Sequence, residues 1–175
     1  MSSEEDDIYI VIKIRVTKIK FERIADIYWC ALWGDWSDME PIFKNDPDSV
    51  LIPLTKTGDT ALHVAAGAGN TNFVKELTKL MKTEYQVIPN SEGMLAVHLA
   101  ALSGHHRIVK HLCSQQHLLD KMAYKDIQKL FFMTIGNDMF GKCIYNSLNI
   151  LLYPFFLSNY LLLLNSTDMI LYHLV

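Results

Sequence analysis

Apolar residues in the middle of the chain recur at helical spacing and in blocks 35 residues apart. Val74 and Leu77, followed by Leu80 or Met81, keep i, i+3 and i+4 spacings and predict the buried stripe of a helix. Just before it the tetrapeptide T-A-L-H opens a shorter helix, and Gly69 marks a tight turn between the two. Moving 35 residues on places Gly58 on Gly93, His63 on His98, Ala65 and Ala66 on Ala100 and Ala101, Gly69 on Gly104, Val74 on Val109 and Leu77 on Leu112. Moving 35 residues back places Ala66 on Ala31, Gly69 on Gly34, Val74 on Met39 and Leu77 on Ile42, with Tyr28 and Cys30 where His63 and Ala65 would fall. The chain therefore holds three copies of a helix-turn-helix unit. Neither helix of a unit can bury its face alone, so stacking of neighbours has to supply the core.

The same spacings predict the elements on either side. In the first unit the helices are expected over Ile24 to Trp33 and Trp36 to Lys44, with Ser37 as the cap and Pro41 tolerated in the first turn. Asp46 to Ser49 with Pro53, and later Pro89 to Glu92, mark the long loops between units. Ile127, Leu130, Phe131 and Ile135 predict the buried face of a fourth unit's first helix, with Gly136 or Asn137 as its turn. The segment after that does not repeat V-K-x-L. The expected organisation is a leader over 1–22, a stack over 23–141 with units near 23–56, 57–91, 92–125 and a partial 126–141, and an apolar tail over 142–175. Within the leader, Ile10 to Ile19 alternates apolar and basic residues as a strand does.

Each motif residue has a structural task. Thr60 is placed to cap the first helix of unit two, and His63 three residues on reaches the same corner. His98 repeats the histidine, but Leu95 replaces the capping threonine, which should weaken that helix start by about 1 kcal/mol. Ala65 and Ala66 are small where two helices approach closely. Gly69, repeated as Gly104, suits a left-handed turn where a Cβ costs energy.

With T-A-L-H-x-A-A and G-x(4)-V-K-x-L in hand, the units resemble ankyrin repeats, whose typical length is about 33 residues. The stretch from Tyr28 to Phe140, including A-L-W-G-D-W and K-L-F-F-M-T-I-G-N-D-M-F, is similar to plant ankyrin-repeat proteins that carry a C-terminal membrane domain with a Pro-Gly-Gly motif. The resemblance implies an all-α solenoid of stacked helix-turn-helix units, three complete and a fourth in part. It also implies repeats that act as protein-binding modules on the cytosolic side of a membrane, in defence or stress signalling. The sequence departs from that family in lacking the Pro-Gly-Gly segment and its several spans.

Composition narrows the functional classes. The formal net charge is -3 and the basic residues are scattered, which leaves no footprint for nucleic acid. Three cysteines, Cys30, Cys113 and Cys143, lie far apart and form neither a disulfide framework nor a zinc site, so a reducing, intracellular and cytoplasmic setting is expected. The acidic start Met1 to Asp7 is no secretory signal. His105, His106 and His111 are close in sequence but lack the Cys or carboxylate partners of a tetrahedral site, so no metal and no cofactor are expected. Gly67-Ala68-Gly69-Asn70 follows a helix and has no phosphate-loop lysine, and no catalytic triad stands in a known motif, so no enzyme activity is expected.

The tail admits two readings. Leu148 to Leu164 is mostly apolar and meets the lower limit of ~17 residues for a membrane span, with Asn149, Pro154, Ser158 and Asn159 inside it. As an anchor it would leave the repeats at the cytosolic face of a membrane, because Lys142 flanks its near side. Alternatively the codons of Gly141-Lys142-Cys143 can contain GTAAGT, the usual start of an intron, and the Ile-, Tyr-, Asn-, Phe- and Leu-rich sequence beyond suits translated AT-rich DNA. The abrupt end of the repeat pattern favours the second reading.

The expected function is noncatalytic protein recognition, as an adaptor in signalling, with an unidentified protein partner. The alternative is a membrane-anchored signalling or transport-associated protein whose repeats form the cytosolic part. The candidate contact surface is the concave side, built from first-helix ends and loop tips. By register it offers Leu32, Trp33 and Asp35, then Gly67, Ala68 and Asn70, then Leu102, Ser103 and His105, with Asp59 and Met94 at loop tips. Trp33 is the leading contact residue, since exposed tryptophans are frequent hot spots. The competing reading has Trp29, Trp33 and Trp36 covering the open N-terminal end of the stack.

Overall fold

The computed structural model describes residues 22–115 and 118–136, and every regular element among them is helical. Unit one is α1 (22–33) and α2 (Trp36–Asn45), followed by a 3-10 turn at Pro47–Leu51. Unit two is α3 (Ala61–Ala68), α4 (Thr71–Leu80) and a short α5 (Thr83–Gln86). Unit three is α6 (Ala96–Leu102), α7 (His106–Cys113) and a short α8 (Leu118–Lys121), and α9 (Tyr124–Gly136) begins a fourth. First helices stack in a row: α3 packs on α6 and α6 on α9, while α2, α4 and α7 form the second row. The leader strand at Ile10 to Ile19, the turn at Asn137 and the tail over 142–175 lie outside the described residues.

Side-chain size explains the spacing of the rows. Ala65, Ala66, Ala100 and Ala101 are all fully buried, and their small side chains let α3 and α6 pack closely. Around them Leu62, Phe73, Leu77, Leu95, Ile108, Leu112 and Leu130 are at most 1% exposed. Each such side chain contributes about 1.5–3 kcal/mol of burial. Phe43 and Phe73 meet edge to face at 6.5 Å, and Trp36 closes on both, at 6.0 and 5.3 Å.

Four expectations are corrected and one alternative is settled. Pro41 is not in the first turn of α2 but inside the helix, and the cap is Asp35, not Ser37. The left-handed Gly34 (φ 86°) turns the chain so sharply that the helix starts at once with Trp36, whose indole anchors it on the two phenylalanines. Pro41 and Ser37 both lie on the exposed side of α2, so the Ser37 carbonyl that Pro41 cannot bond faces solvent and is not buried. Ile135 is 49% exposed, and Thr134 takes its place in the buried face, with its hydroxyl donating to the Phe131 carbonyl at 2.8 Å. Between Leu80 and Met81, it is Met81 that is buried. Gly136, offered as a turn, is the last residue of α9.

The units are joined by buried imidazoles. His63 Nδ1 faces the Thr60 amide at 3.3 Å and the Thr60 hydroxyl at 3.0 Å, closing the first turn of α3. Because Nδ1 accepts there, Nε2 carries the proton and donates to the Met94 carbonyl of the next unit at 3.0 Å. His98 repeats the arrangement: Leu95 N-H donates to Nδ1 at 3.1 Å, and Nε2 donates to the Asp126 carbonyl at 2.8 Å. The missing hydroxyl at Leu95 thus removes one partner of the histidine and leaves the backbone bond, while the leucine side chain enters the core.

Burial pushes both imidazoles below their ordinary 6.5, against the raising effect of the carbonyl bonds and of nearby Asp59 and Asp126. Half-buried His111 is shifted the same way, first by burial and then by Lys75 and Lys79. The unfolded chain therefore binds protons that the folded chain refuses once the pH falls below about 6.5, and stability declines there while staying level above it. Urea titrations should show this decline between pH 6.5 and 5, at up to about 1.4 kcal/mol per pH unit for each buried histidine. A His98→Gln variant should have a shallower decline; an unchanged slope would count against the buried-neutral assignment.

Candidate interaction surface

The residues nominated from sequence separate into two groups once their partners are traced. Asn70 and His105 follow the left-handed Gly69 (φ 87°) and Gly104 (φ 79°) in the same repeat position. The Asn70 Nδ2 donates to the Ala31 and Leu32 carbonyls, both at 2.8 Å. One unit later His105 Nε2 donates to the Gly67 carbonyl at 3.0 Å. Each side chain thereby satisfies carbonyls left open at the C-terminal end of the preceding first helix. They act as clips between units, and both are half-buried.

Asp59 is likewise committed inside the protein. Its carboxylate accepts from the Thr57 hydroxyl at 2.6 Å, from the Asn90 amide at 2.7 Å and from the Thr55 hydroxyl at 2.8 Å. Burial alone would raise this carboxyl, but those hydrogen bonds outweigh it and hold Asp59 below the usual carboxylate range. Asn90 in turn accepts from the Glu92 and Met94 amides at 3.0 and 2.9 Å, and Ser91 N-H reaches the Thr57 carbonyl at 2.8 Å. Successive loops are stitched together in this way. Met94, expected at a loop tip, is 8% exposed, and its carbonyl is shared by His63 and Asn90 N-H.

Among the residues nominated from sequence, Trp33 is the most exposed large side chain, and it has an aromatic neighbour on α1. Trp33 is 66% exposed and stacks on Trp29, itself 46% exposed, with centroids 5.0 Å apart and planes 27° from parallel. Tyr28 meets Trp29 edge to face at 5.2 Å. Of the three tryptophans only Trp36 is drawn into the core. Beside the pair, Ile24, Ala25, Tyr28, Trp29, Leu54, Thr55 and Lys56 line an open hollow of about 340 Å³. Asp35 is exposed and makes no side-chain cap bond, Leu32 is half-buried, and Leu102 stands 58% exposed on α6. From sequence Trp29 entered only the end-covering reading and not the contact surface, although its i, i+4 spacing to Trp33 on one helix was there to be read.

Among the described residues no three His, Cys, Asp or Glu side chains converge as metal ligands. Nor is any helix among them long and apolar enough to cross a membrane.

Residues 28–123, more than half of the chain, match the family profile described as ankyrin repeats, in three copies. The chain belongs to the ankyrin-repeat family. Ankyrin repeats are protein-interaction modules. The chain is 39% identical over 62 residues to "Ankyrin repeat-containing protein ITN1" of Arabidopsis thaliana, a match covering 35% of this chain and 10% of that relative's length. Its fold is similar to a chain in the crystal structure of the yeast ribosomal protein Rps3 in complex with its chaperone Yar1. The TM-score is 0.55 at 22% identity, covering 67% of this chain and 86% of that one.

The ankyrin turns make a graded prediction. An alanine at Gly104 meets nothing within 4 Å and suffers only the left-handed backbone, about 1–2 kcal/mol. At Gly69 the new Cβ would also lie 2.7 Å from the His105 ring, which is held on the Gly67 carbonyl. Denaturant titration should therefore find Gly69→Ala clearly less stable than Gly104→Ala, and equal losses would contradict the His105 clip.

Proposed function

We propose that this ankyrin stack is a noncatalytic adaptor in signalling that holds a segment of another protein against the exposed face of its first helices. The carrying observation is the Trp29-Trp33 stack, two large rings left in water on a helix whose opposite face is packed. Exposed aromatic area of this kind is costly to leave bare and productive to cover. The floor beyond it is low, with Gly67, Ala68 and Ser103 at the following turns and Leu102 as a further apolar contact. Asp35 and Leu32 flank the anchor. Asn70, His105, Asp59 and Met94 support the surface from behind by keeping the units in register. The solved complex of a ribosomal protein with its chaperone supports a binding role for this fold.

The apolar run Leu148 to Leu164 supports a second arrangement, in which the same module works at the cytosolic face of a membrane. Resistance of the expressed chain to high-pH carbonate extraction supports it, and release counts against it.

Trp33→Ala distinguishes recognition from mere end-covering. Its circular dichroism and melting midpoint should match the parent chain, while partner affinity drops by about 30-fold, the ~2 kcal/mol of a hot spot. Unfolding by this substitution would mean that Trp33 closes the stack instead.

A further inference from the structure

We infer that the Trp29-Trp33 face takes a basic segment of its partner, with an arginine or lysine side chain laid over the indoles between the carboxylates of Asp26, Asp35 and Asp38. This deepens the recognition reading and rests on it. Asp26, Trp29 and Trp33 follow one another at i, i+3 and i+7 along α1, so a carboxylate and the two indoles share one stripe. All three are exposed, as are Asp35 and Asp38 just past the Gly34 turn. The three carboxylates act on a common point: burial first, and then the fields of Asp38, Asp35 and Asp26, push the Cys30 thiol up. Cys30 lies on α1 between the two tryptophans in sequence.

Charge complementarity selects the occupant. Residues 22–48 carry seven Asp or Glu residues and only two basic ones, Arg23 and Lys44. Both basic groups are engaged elsewhere, Arg23 with Asp46 at 3.5 Å and Lys44 with Glu40 at 2.7 Å. A guanidinium fits both halves of what remains, since it stacks on an indole face and is drawn to carboxylates. An acidic or phosphorylated segment would be repelled there. The hollow beside Tyr28 and Trp29 is mainly apolar and has Lys56 in its lining. It accepts an aliphatic neighbour of the basic residue, not the charge itself.

The test uses the full chain and two short probe peptides, one alternating Arg with Val and one alternating Glu with Val, followed by tryptophan fluorescence and calorimetry. The Arg peptide should bind at least about tenfold more tightly than the Glu peptide, and added salt should weaken it. Trp33→Ala and Asp26→Asn should each reduce its affinity by about five- to tenfold with unchanged circular dichroism. Equal binding of both peptides, or an Arg peptide indifferent to both substitutions, would overturn the proposal. A second occupant is the chain's own leader, which carries Lys13, Arg15, Lys18 and Lys20. If glutamine at all four positions raises Arg-peptide affinity by about tenfold, the leader covers this face and the partner assignment fails. A partner cross-linked at the Trp33 face through a segment without basic residues removes the basic class and leaves the recognition reading standing. Loss of that reading as well would show as partner binding unaffected by Trp33→Ala.

Discussion

The bond from His63 Nε2 to the Met94 carbonyl, with its copy from His98 to the Asp126 carbonyl, fixes where each unit sits on the one before it. Both imidazoles are buried, and each uses its second nitrogen to hold the first turn of its own helix. A single side chain therefore couples local helix initiation to unit stacking. Only the neutral ring does both, since a protonated Nδ1 has no lone pair for the amide it faces. The Asn70 and His105 clips and the Asp59-Asn90 loop bonds repeat the principle at the other two corners of the unit. Polar groups buried by stacking are in this way satisfied by the neighbour that buries them.

That coupling is what makes the outward face usable. A row of helices held in register presents a surface without ordering cost at the moment of binding. The chain spends its polar side chains on keeping the register, and its stacked, exposed indole pair lies in unit one. There the repeat pattern is weakest: Tyr28 and Cys30 replace the motif histidine and alanine, and Asp35 stands where later units place a clip. Asp35, released from the clip, is exposed, and the exposed indoles of Trp29 and Trp33 stand where unit two has Val64 and Ala68.

The period and its histidines, glycines and alanines were legible because each answers a constraint that recurs in every unit. Three helix-turn-helix units and the start of a fourth follow from them, and the structure shows the same architecture. What escaped is non-periodic. Asn90 binds Asp59 in one unit, but the equivalent of Asp59 in the next unit is Met94, so no repetition announced the pair. Asn70 and His105 differ in residue type yet do the same work, which hid a clip behind what looked like two exposed polar residues. The fourth helix face ran one residue off at Thr134 because a hydroxyl that bonds its own helix can be buried where the apolar pattern pointed to Ile135. Pro41 was misplaced because the tightness of the Gly34 turn, and hence the start of α2, is set by packing of Trp36 on Phe43 and Phe73.

Native-state hydrogen exchange tests most directly whether the units act as one body. The informative amides are Val64, bonded to the Thr60 carbonyl at 3.1 Å, and Leu99, bonded to the Leu95 carbonyl at 3.2 Å, each in the first turn beside a bridging histidine. If the imidazole bonds couple the stack, both amides open with the same free energy and respond identically to low denaturant. If Leu99 exchanges early while Val64 stays protected, the units open separately, and the histidine bridges do not hold the surface together.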